Sequence, residues 1–161
     1  CQPLLPDGET AQDAHEEPNA EMMDEVIRLI ADFPQIKYLT IEFYKDKDVF
    51  GIMSLEQPNP YKVLIIPHAH VESIYDLDDD LAASIFKVTT KVARAIRDAS
   101  NCEGLNIIQS NGKAGQQDVF HFHLHIVPRF FDDQIIFDWD NTPANRDVLD
   151  NLAKKIRESL L

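Results

Sequence analysis

The stretch Phe120-His121-Phe122-His123-Leu124-His125-Ile126 decides the architecture of this chain. Apolar residues and histidines alternate without a break, and this is the pattern of a β-strand whose successive side chains point to opposite faces. We expect the four apolar side chains to face the core and the three histidines to lie together on the other face. Half of the six histidines in the chain therefore belong to one predicted strand face.

Three interpretations of this histidine face compete. A solvated polar face would accept Thr, Lys or Glu equally well, so three identical residues are unexpected there. Imidazoles also bind zinc, but strand spacing places the Cα atoms of His121 and His125 about 13 Å apart, which leaves at most two neighbouring histidines for one ion. The third interpretation is catalysis on phosphate, because a neutral imidazole is a nucleophile near pH 7 and a second one can protonate the leaving group.

Hydrophobic periodicity predicts the elements that surround the histidine strand. Alternating or continuous apolar patterns predict five strands, at 37–45, 48–55, 62–66, 104–109 and 119–127. A period of 3.6 residues predicts helices at 20–32, 78–99 and 144–160. Hairpins with a central and a terminal helix predict an α+β fold, with a mostly antiparallel sheet of about five strands, a long central helix and a C-terminal helix.

The composition limits the size and the partners of the protein. A chain of 161 residues predicts one domain, here residues 20–161, preceded by an irregular arm over the Pro-, Asp- and Glu-rich residues 1–19. The net charge of -13 argues against a nucleic-acid surface. No apolar run approaches the roughly 20 residues that span a bilayer, so we expect no membrane partner. Two cysteines give no disulfide framework, and we expect a cytoplasmic protein.

The segment QDVFHFHLHIVPR, residues 117–129, resembles the signature of the histidine-triad (HIT) nucleotide hydrolases and transferases. That signature alternates three histidines with apolar residues and ends on two apolar residues, and residues 121–127 match it at every position. GLNIIQSNGKAGQ and KVLIIPHAH are similar to the family as well, so the resemblance covers roughly residues 37–130. Pro128-Arg129 and the helix NLAKKIRESLL resemble the bacterial Hit-type branch.

The resemblance implies a role for each histidine of the triad. His123 would attack the α-phosphorus of a nucleoside phosphoramidate, a dinucleoside polyphosphate or a related nucleotidyl ester, and form a nucleotidyl-histidine that water releases. His125 would donate a proton to the leaving group, and His121 would orient the nucleophile. The resemblance further implies a homodimer, with strands and the long helix at the interface.

The resemblance also implies a set of nucleotide-binding residues. Gln117, Asp118 and Val119 occupy the positions that contact phosphates, and the loop before the strand would cradle them with backbone N–H groups. The chain departs from the pattern elsewhere. Lys62 replaces a histidine, Ser54 replaces an acidic or amide residue that holds the ribose, Gln116 replaces a glycine, and Ser110 replaces a phosphate-facing amide for which Asn111 is the adjacent substitute.

Two functions remain open at the level of the sequence. The first is an enzyme that acts on a purine nucleotide or a nucleotide conjugate and needs no metal, although a divalent cation could accompany a polyphosphate substrate. The second is a nucleotide-binding regulatory module with little turnover, which the altered positions Ser54 and Lys62 favour. We expect a surface or capping role for His68 and His70. Arg129 either meets a leaving-group phosphate or is a plain surface residue.

Overall fold

A computed structural model describes residues 41–160, which form an antiparallel sheet and two long helices. The strands are β1 (Glu42–Lys45), β2 (Val49–Met53), β3 (Val63–Pro67), β4 (Gly104–Ile108) and β5 (Leu124–Arg129), and the helices are α1 (Asp79–Ser100) and α2 (Arg146–Ser159). The order of the strands in the sheet is β1-β2-β3-β5-β4, and every neighbouring pair is antiparallel. The predicted α+β class with a five-stranded sheet is confirmed.

Part of the sequence prediction lies outside the described residues. This applies to the arm 1–19, the helix 20–32 and the first residues of the strand 37–45. The extent of the single domain, 20–161, therefore stays a prediction. The C-terminal helix predicted at 144–160 is present as α2, which begins at Arg146 because the side chain of Asn145 accepts a hydrogen bond from the Asp147 N–H. No helix between residues 41 and 160 is long and apolar enough to cross a membrane.

The first hairpin forms because Asp46 organises its turn. Asp46 Oδ1 accepts hydrogen bonds from the backbone N–H groups of Asp48 and Val49, both at 2.9 Å, and Oδ2 accepts one from Tyr44 at 2.8 Å. These bonds satisfy donors that the tight turn would otherwise leave without partners. The hairpin predicted around Asp46-Lys47 is confirmed.

Helix α1 begins and ends where its caps place it. The Asp78 side chain accepts a hydrogen bond from the Leu81 N–H, and Asn101 adopts the left-handed conformation (φ 53°) that closes the last turn. Its buried stripe packs on one face of the sheet against side chains of β2, β3 and β5. The stripe consists of Ile85, Val88, Thr89, Val92 and Ile96, and Leu81 is only partly buried.

The two faces of the sheet have different roles. Phe122, Leu124 and Ile126 pack against α1, as the alternation predicts. The opposite face, which we call the site face, carries a second apolar cluster made by Phe50, Ile52, Leu64, Ile66 and Val119. Since side chains alternate along β5, His125 belongs to the site face. Helix α1 therefore covers one face, and the histidine chemistry lies on the other.

The predicted bounds of the histidine strand are wrong. Strand β5 begins at Leu124 rather than at residue 119, so only His125 is part of a regular strand. The reason is a competing interaction: the Phe122 N–H donates to the carbonyl of Val71, beyond the end of β3. Residues 119–123 therefore follow the segment after β3, and the three histidines do not form one flat row.

Candidate active site

His121 is the buried anchor of the site. Its side chain has no exposed surface, and Nε2 lies 3.0 Å from the carbonyl oxygen of Pro67 at the end of β3. A carbonyl oxygen only accepts, so Nε2 carries a proton. The sequence prediction grouped His121 with the other histidines on an open face, but the structure places it inside the protein.

His123 is held by the backbone carbonyl of His121. Its Nδ1 lies 2.8 Å from the carbonyl oxygen of His121, so Nδ1 is the protonated nitrogen and Nε2 keeps its lone pair in the neutral ring. Burial lowers the pKa of His123 more than the negative charge of Asp118 raises it. The ring is therefore neutral at pH 7, with Nε2 as the nucleophilic atom.

His125 is the second imidazole of the site face. Its ring meets that of His123 edge to face, with centroids 4.9 Å apart. Burial, the charge that His123 carries when it is protonated, and the positive charge of Lys62 together lower the pKa of His125 to about 3. Its Nδ1 is buried and has no hydrogen-bond partner among residues 41–160. His125 is thus uncharged in the free protein.

His70 is exposed, as the expected surface role requires, but its side chain also contacts the triad. Its Nδ1 lies 3.2 Å from Nδ1 of His121, although the two residues are 51 positions apart. Because His121 Nε2 donates to Pro67, the Nδ1 of a neutral His121 accepts from His70. His68 behaves differently: it bonds the carbonyl of Asp46 and stacks on Phe50, away from the triad.

Ser54 and Lys62 lie side by side at the open ends of β2 and β3. The Ser54 N–H donates to the Lys62 carbonyl at 3.1 Å, one position beyond the Met53–Val63 pair. Both residues continue the alternation of Ile52 and Leu64, so their side chains belong to the site face. The Lys62 side chain is only 12% exposed. The sequence prediction placed both residues in the nucleotide pocket, and the structure brings them to the same face as His125.

The loop residues divide into two groups. Gln117 is buried, and its amide accepts from the Gly112 N–H and donates to the carbonyls of Glu72 and Val119. The Asn111 side chain accepts from the Ile74 N–H and exchanges bonds with Gln109. These two amides shape the loop, whereas the Val119 side chain is part of the apolar cluster. Ser110 is partly buried. Asp118 is exposed, and its negative charge is close enough to raise the pKa of His123.

Arg129 is not a plain surface residue, because it forms an ion pair with Asp133. Its Nε and Nη2 donate to the two carboxylate oxygens of Asp133, at 2.6 and 2.8 Å, and its Nη1 donates to Asn106. The guanidinium is therefore committed to a structural ion pair. Within residues 41–160 no group of three or more His, Cys, Asp or Glu side chains is arranged to hold a metal ion.

Comparisons with known proteins agree with this geometry. A family model described as the HIT domain matches residues 37–132, more than half of the chain. This chain belongs to the HIT family. The HIT protein is 40% identical over 87 residues to Protein hit of Bacillus subtilis, and the match covers 54% of this chain and 60% of that protein. The resemblance drawn from residues 117–129 is confirmed.

A named relative and a solved structure are also similar to this HIT protein. Adenosine 5'-monophosphoramidase HNT1 of Candida albicans is 31% identical over 103 residues, covering 61% of this chain and 68% of that protein. The crystal structure of a HIT family member from Bacillus subtilis superposes with a TM-score of 0.76 and 30% identity, over 83% of this chain and 94% of the other. The family and the fold are thus shared, and one relative is named an adenosine 5'-monophosphoramidase.

Proposed function

We propose that this protein is a nucleotidyl hydrolase or transferase in which Nε2 of His123 attacks the α-phosphorus of a nucleotide conjugate. The observation that carries the proposal is the 2.8 Å contact between His123 Nδ1 and the His121 carbonyl. It fixes the proton on one ring nitrogen and directs the lone pair to the other. A partly buried imidazole that stays neutral at pH 7 is suited to nucleophilic catalysis.

The reaction has two balanced steps. In the first, a bond forms between His123 Nε2 and the α-phosphorus, and the bond from phosphorus to the leaving group breaks with a proton passing to that group. In the second, water attacks the same phosphorus and passes a proton to His125, the P–N bond to His123 breaks, and the nucleoside monophosphate leaves. An alcohol or phosphate in place of water makes the second step a transfer.

His125 supplies the proton only after the substrate has bound. With a pKa of about 3 it is neutral in the free protein and cannot act as an acid. An anionic phosphate near the ring favours the protonated form and raises this pKa. The negative charge of the bound substrate therefore favours the protonated form of His125, which the leaving group requires.

The proposed substrates are purine nucleotide conjugates, with phosphoramidates first. The support is the name of the Candida albicans relative, adenosine 5'-monophosphoramidase, together with a nucleophile that needs no metal. Dinucleoside polyphosphates are the second class, for which a divalent cation would neutralise the additional phosphates. A regulatory module that binds nucleotides with little turnover is the alternative, and the neutral His125 favours it.

Turnover and binding together separate the enzyme from the module. The measurement is release of adenosine monophosphate from adenosine 5'-phosphoramidate and from diadenosine tetraphosphate, with and without EDTA, beside calorimetric binding of the same compounds. We expect turnover of the phosphoramidate that survives EDTA. Tight binding with no release from either compound would leave the regulatory module as the function.

Replacing His70 with alanine is expected to lower kcat about tenfold while KM changes little. The substitution removes the donor to His121 Nδ1, so His121 loses one of the contacts that position its ring and, through its carbonyl, the orientation of His123. His70→Asn keeps a side-chain N–H and should recover part of kcat. His68→Asn, in the same segment but away from the triad, is the matched control. Equal kcat in wild type and His70→Ala would exclude a positioning role.

We also propose that the protein is a homodimer. Strand β4 is an edge of the sheet, and such an edge offers unpaired backbone groups to another chain. Two large apolar side chains are exposed nearby: Ile107 on β4, which is 44% exposed, and Phe86 on helix α1, which is 56% exposed. Sedimentation equilibrium should give twice the 18.4 kDa mass of one chain. A single-chain mass at all concentrations would refute the dimer.

A further inference from the structure

The side chains of Ser54 and Lys62 form a polar pair on the site face, beyond His125. Leu64 is level with His125 and Val63 with Ile126, so Lys62 is level with Val127. Within β5, two residues of strand separate this level from His125, which is about 7 Å, and His123 precedes the regular strand. Ser54 lies one strand further from β5, next to β2, so an anion that contacts both side chains is displaced from the phosphate that His123 attacks.

The Lys62 side chain is largely enclosed, and its ammonium has a weak partner. Its side chain is 12% exposed, and Nζ lies 3.7 Å from a carboxylate oxygen of Glu56, whose own side chain is 89% exposed. An ion pair of this length to a solvated carboxylate contributes little. Arg129, by contrast, donates two short hydrogen bonds to a buried carboxylate. Lys62 is thus a cation on this face that can exchange its partner for a ligand.

Ser54 adds a hydroxyl to the ammonium. The residue is 8% exposed, and the hydrogen bonds that it makes within the described residues use its backbone N–H and C=O, which leaves Oγ for a ligand. Gln57 holds the pair in place: its Nε2 donates to the carbonyls of Ser54 and Lys62, both at 2.7 Å, and its Oε1 accepts from the Lys62 N–H. The two side chains therefore start from a rigid backbone.

We propose that Ser54 and Lys62 form a second phosphate subsite, which selects substrates carrying a phosphoryl group in addition to the one that His123 attacks. This inference rests on the proposed function of His123. A hydroxyl and an ammonium are complementary to phosphate oxygens, with charge-assisted bonds that are stronger than neutral ones. The additional phosphate can come from two sources: a further phosphate of a polyphosphate chain, or a phosphate on a ribose hydroxyl.

The test compares substrates on matched variants. The substrates are adenosine 5'-phosphoramidate, its 2'-phosphate and 3'-phosphate derivatives, and diadenosine tetraphosphate. The measured quantity is kcat/KM for each doubly phosphorylated compound divided by kcat/KM for the phosphoramidate. The 2'-phosphate and 3'-phosphate derivatives release the same leaving group as the phosphoramidate, so for them a change in the protonation of His123 or His125 cancels in this ratio, which isolates the contact to the second phosphate.

We expect Lys62→Met to lower this ratio about tenfold or more for at least one of the three compounds. Ser54→Ala should lower the same ratio by a smaller factor, and Lys62→Arg should largely keep it. Lys47→Met is the matched control, since Lys47 is 89% exposed at the β1–β2 turn, and it should leave the ratio unchanged. The compound that responds identifies the source of the phosphate.

Unchanged ratios in Lys62→Met for all three compounds would overturn the subsite. Failure of the proposed function gives a different result, namely no turnover of any substrate by the wild type. In that case calorimetric affinities of the same four compounds replace kcat/KM in the ratio. Relative affinities that are equal in wild type and Lys62→Met would then overturn the subsite as well.

Discussion

Replacing His123 with alanine is expected to lower kcat/KM for adenosine 5'-phosphoramidate by roughly 10⁴-fold or more. The substitution removes the lone pair of Nε2, and no other atom of the site can take its place. His125 is at an angle to the attacking ring and lies 4.9 Å from it, centroid to centroid. His121 is buried and bonded to Pro67, so it cannot reach a ligand.

Binding and folding must be separated from chemistry in this variant. Circular dichroism and calorimetric affinity for adenosine monophosphate should be close to those of the wild type, because the backbone of residues 121–123 keeps its contacts. His68→Ala is the histidine control, since His68 touches Asp46 and Phe50 rather than the triad. A His123→Ala protein that keeps more than a tenth of the wild-type kcat/KM would rule out His123 as the nucleophile.

The largest effect on stability is expected at Asp133. Its side chain is only 2% exposed and accepts from Arg129 Nε and Nη2, from the Phe130 and Ile135 N–H groups and from Asn59 Nδ2. Asn59 also donates to the carbonyl of Pro128, so this ion pair joins the β2–β3 connection, the end of β5 and the segment after it. The Arg129 guanidinium and the backbone donors hold the pKa of Asp133 far below its ordinary value.

Replacing Asp133 with alanine is expected to lower Tm by about 10 °C, because the Arg129 guanidinium loses its counter-charge. Replacing Arg129 with methionine should be similarly damaging, since it leaves the carboxylate buried without its partner. The double variant Arg129→Met/Asp133→Ala should lose less than the sum of the two single variants. Additive losses would show that the two residues act independently, against the ion pair seen here.

The contribution of Asp133 to the stability of the fold depends on pH. The pKa of Asp133 is lower in the folded protein than in the unfolded chain, so the group stabilises the fold above the unfolded value of about 3.9 and loses that contribution as the pH falls below it. Thermal melts at successive pH values measure the difference in Tm between wild type and Asp133→Asn. The difference should be full above about pH 5 and shrink in acid. A difference that does not change with pH would contradict the ionised carboxylate.

The fold was predictable because its signals are local. The alternation at Phe122, Leu124 and Ile126 corresponds to the face that packs on α1, and the carboxylate at Asp78 caps that helix. The start of β5 was not predictable, since the alternation continues through residues 119–123. Those residues leave the strand because of contacts to Pro67 and Val71, which lie about fifty residues earlier in the chain.

The site was predictable in its residue types and less so in its arrangement. The resemblance pointed to the triad, Ser54 and Lys62, and the structure brings His123, His125 and that pair to one face. His70 was missed because its contact to His121 joins two distant segments. The roles of Gln117 and Asn111 depend on the turn that each amide closes, and residue type alone does not reveal this. The sequence signal for His70 was its position, three residues after Pro67 at the end of a predicted strand.

The central claim is that a nucleotide becomes covalently bound to His123, and intact-protein mass spectrometry after a quench tests it most directly. The protein is mixed with adenosine 5'-phosphoramidate for less than one turnover, stopped with denaturant at alkaline pH, and digested to locate the adduct. The proposed reaction predicts an added adenylyl group on the peptide that contains His123, absent from His123→Ala. Turnover without any adduct on His123, or an adduct on another residue, would contradict it.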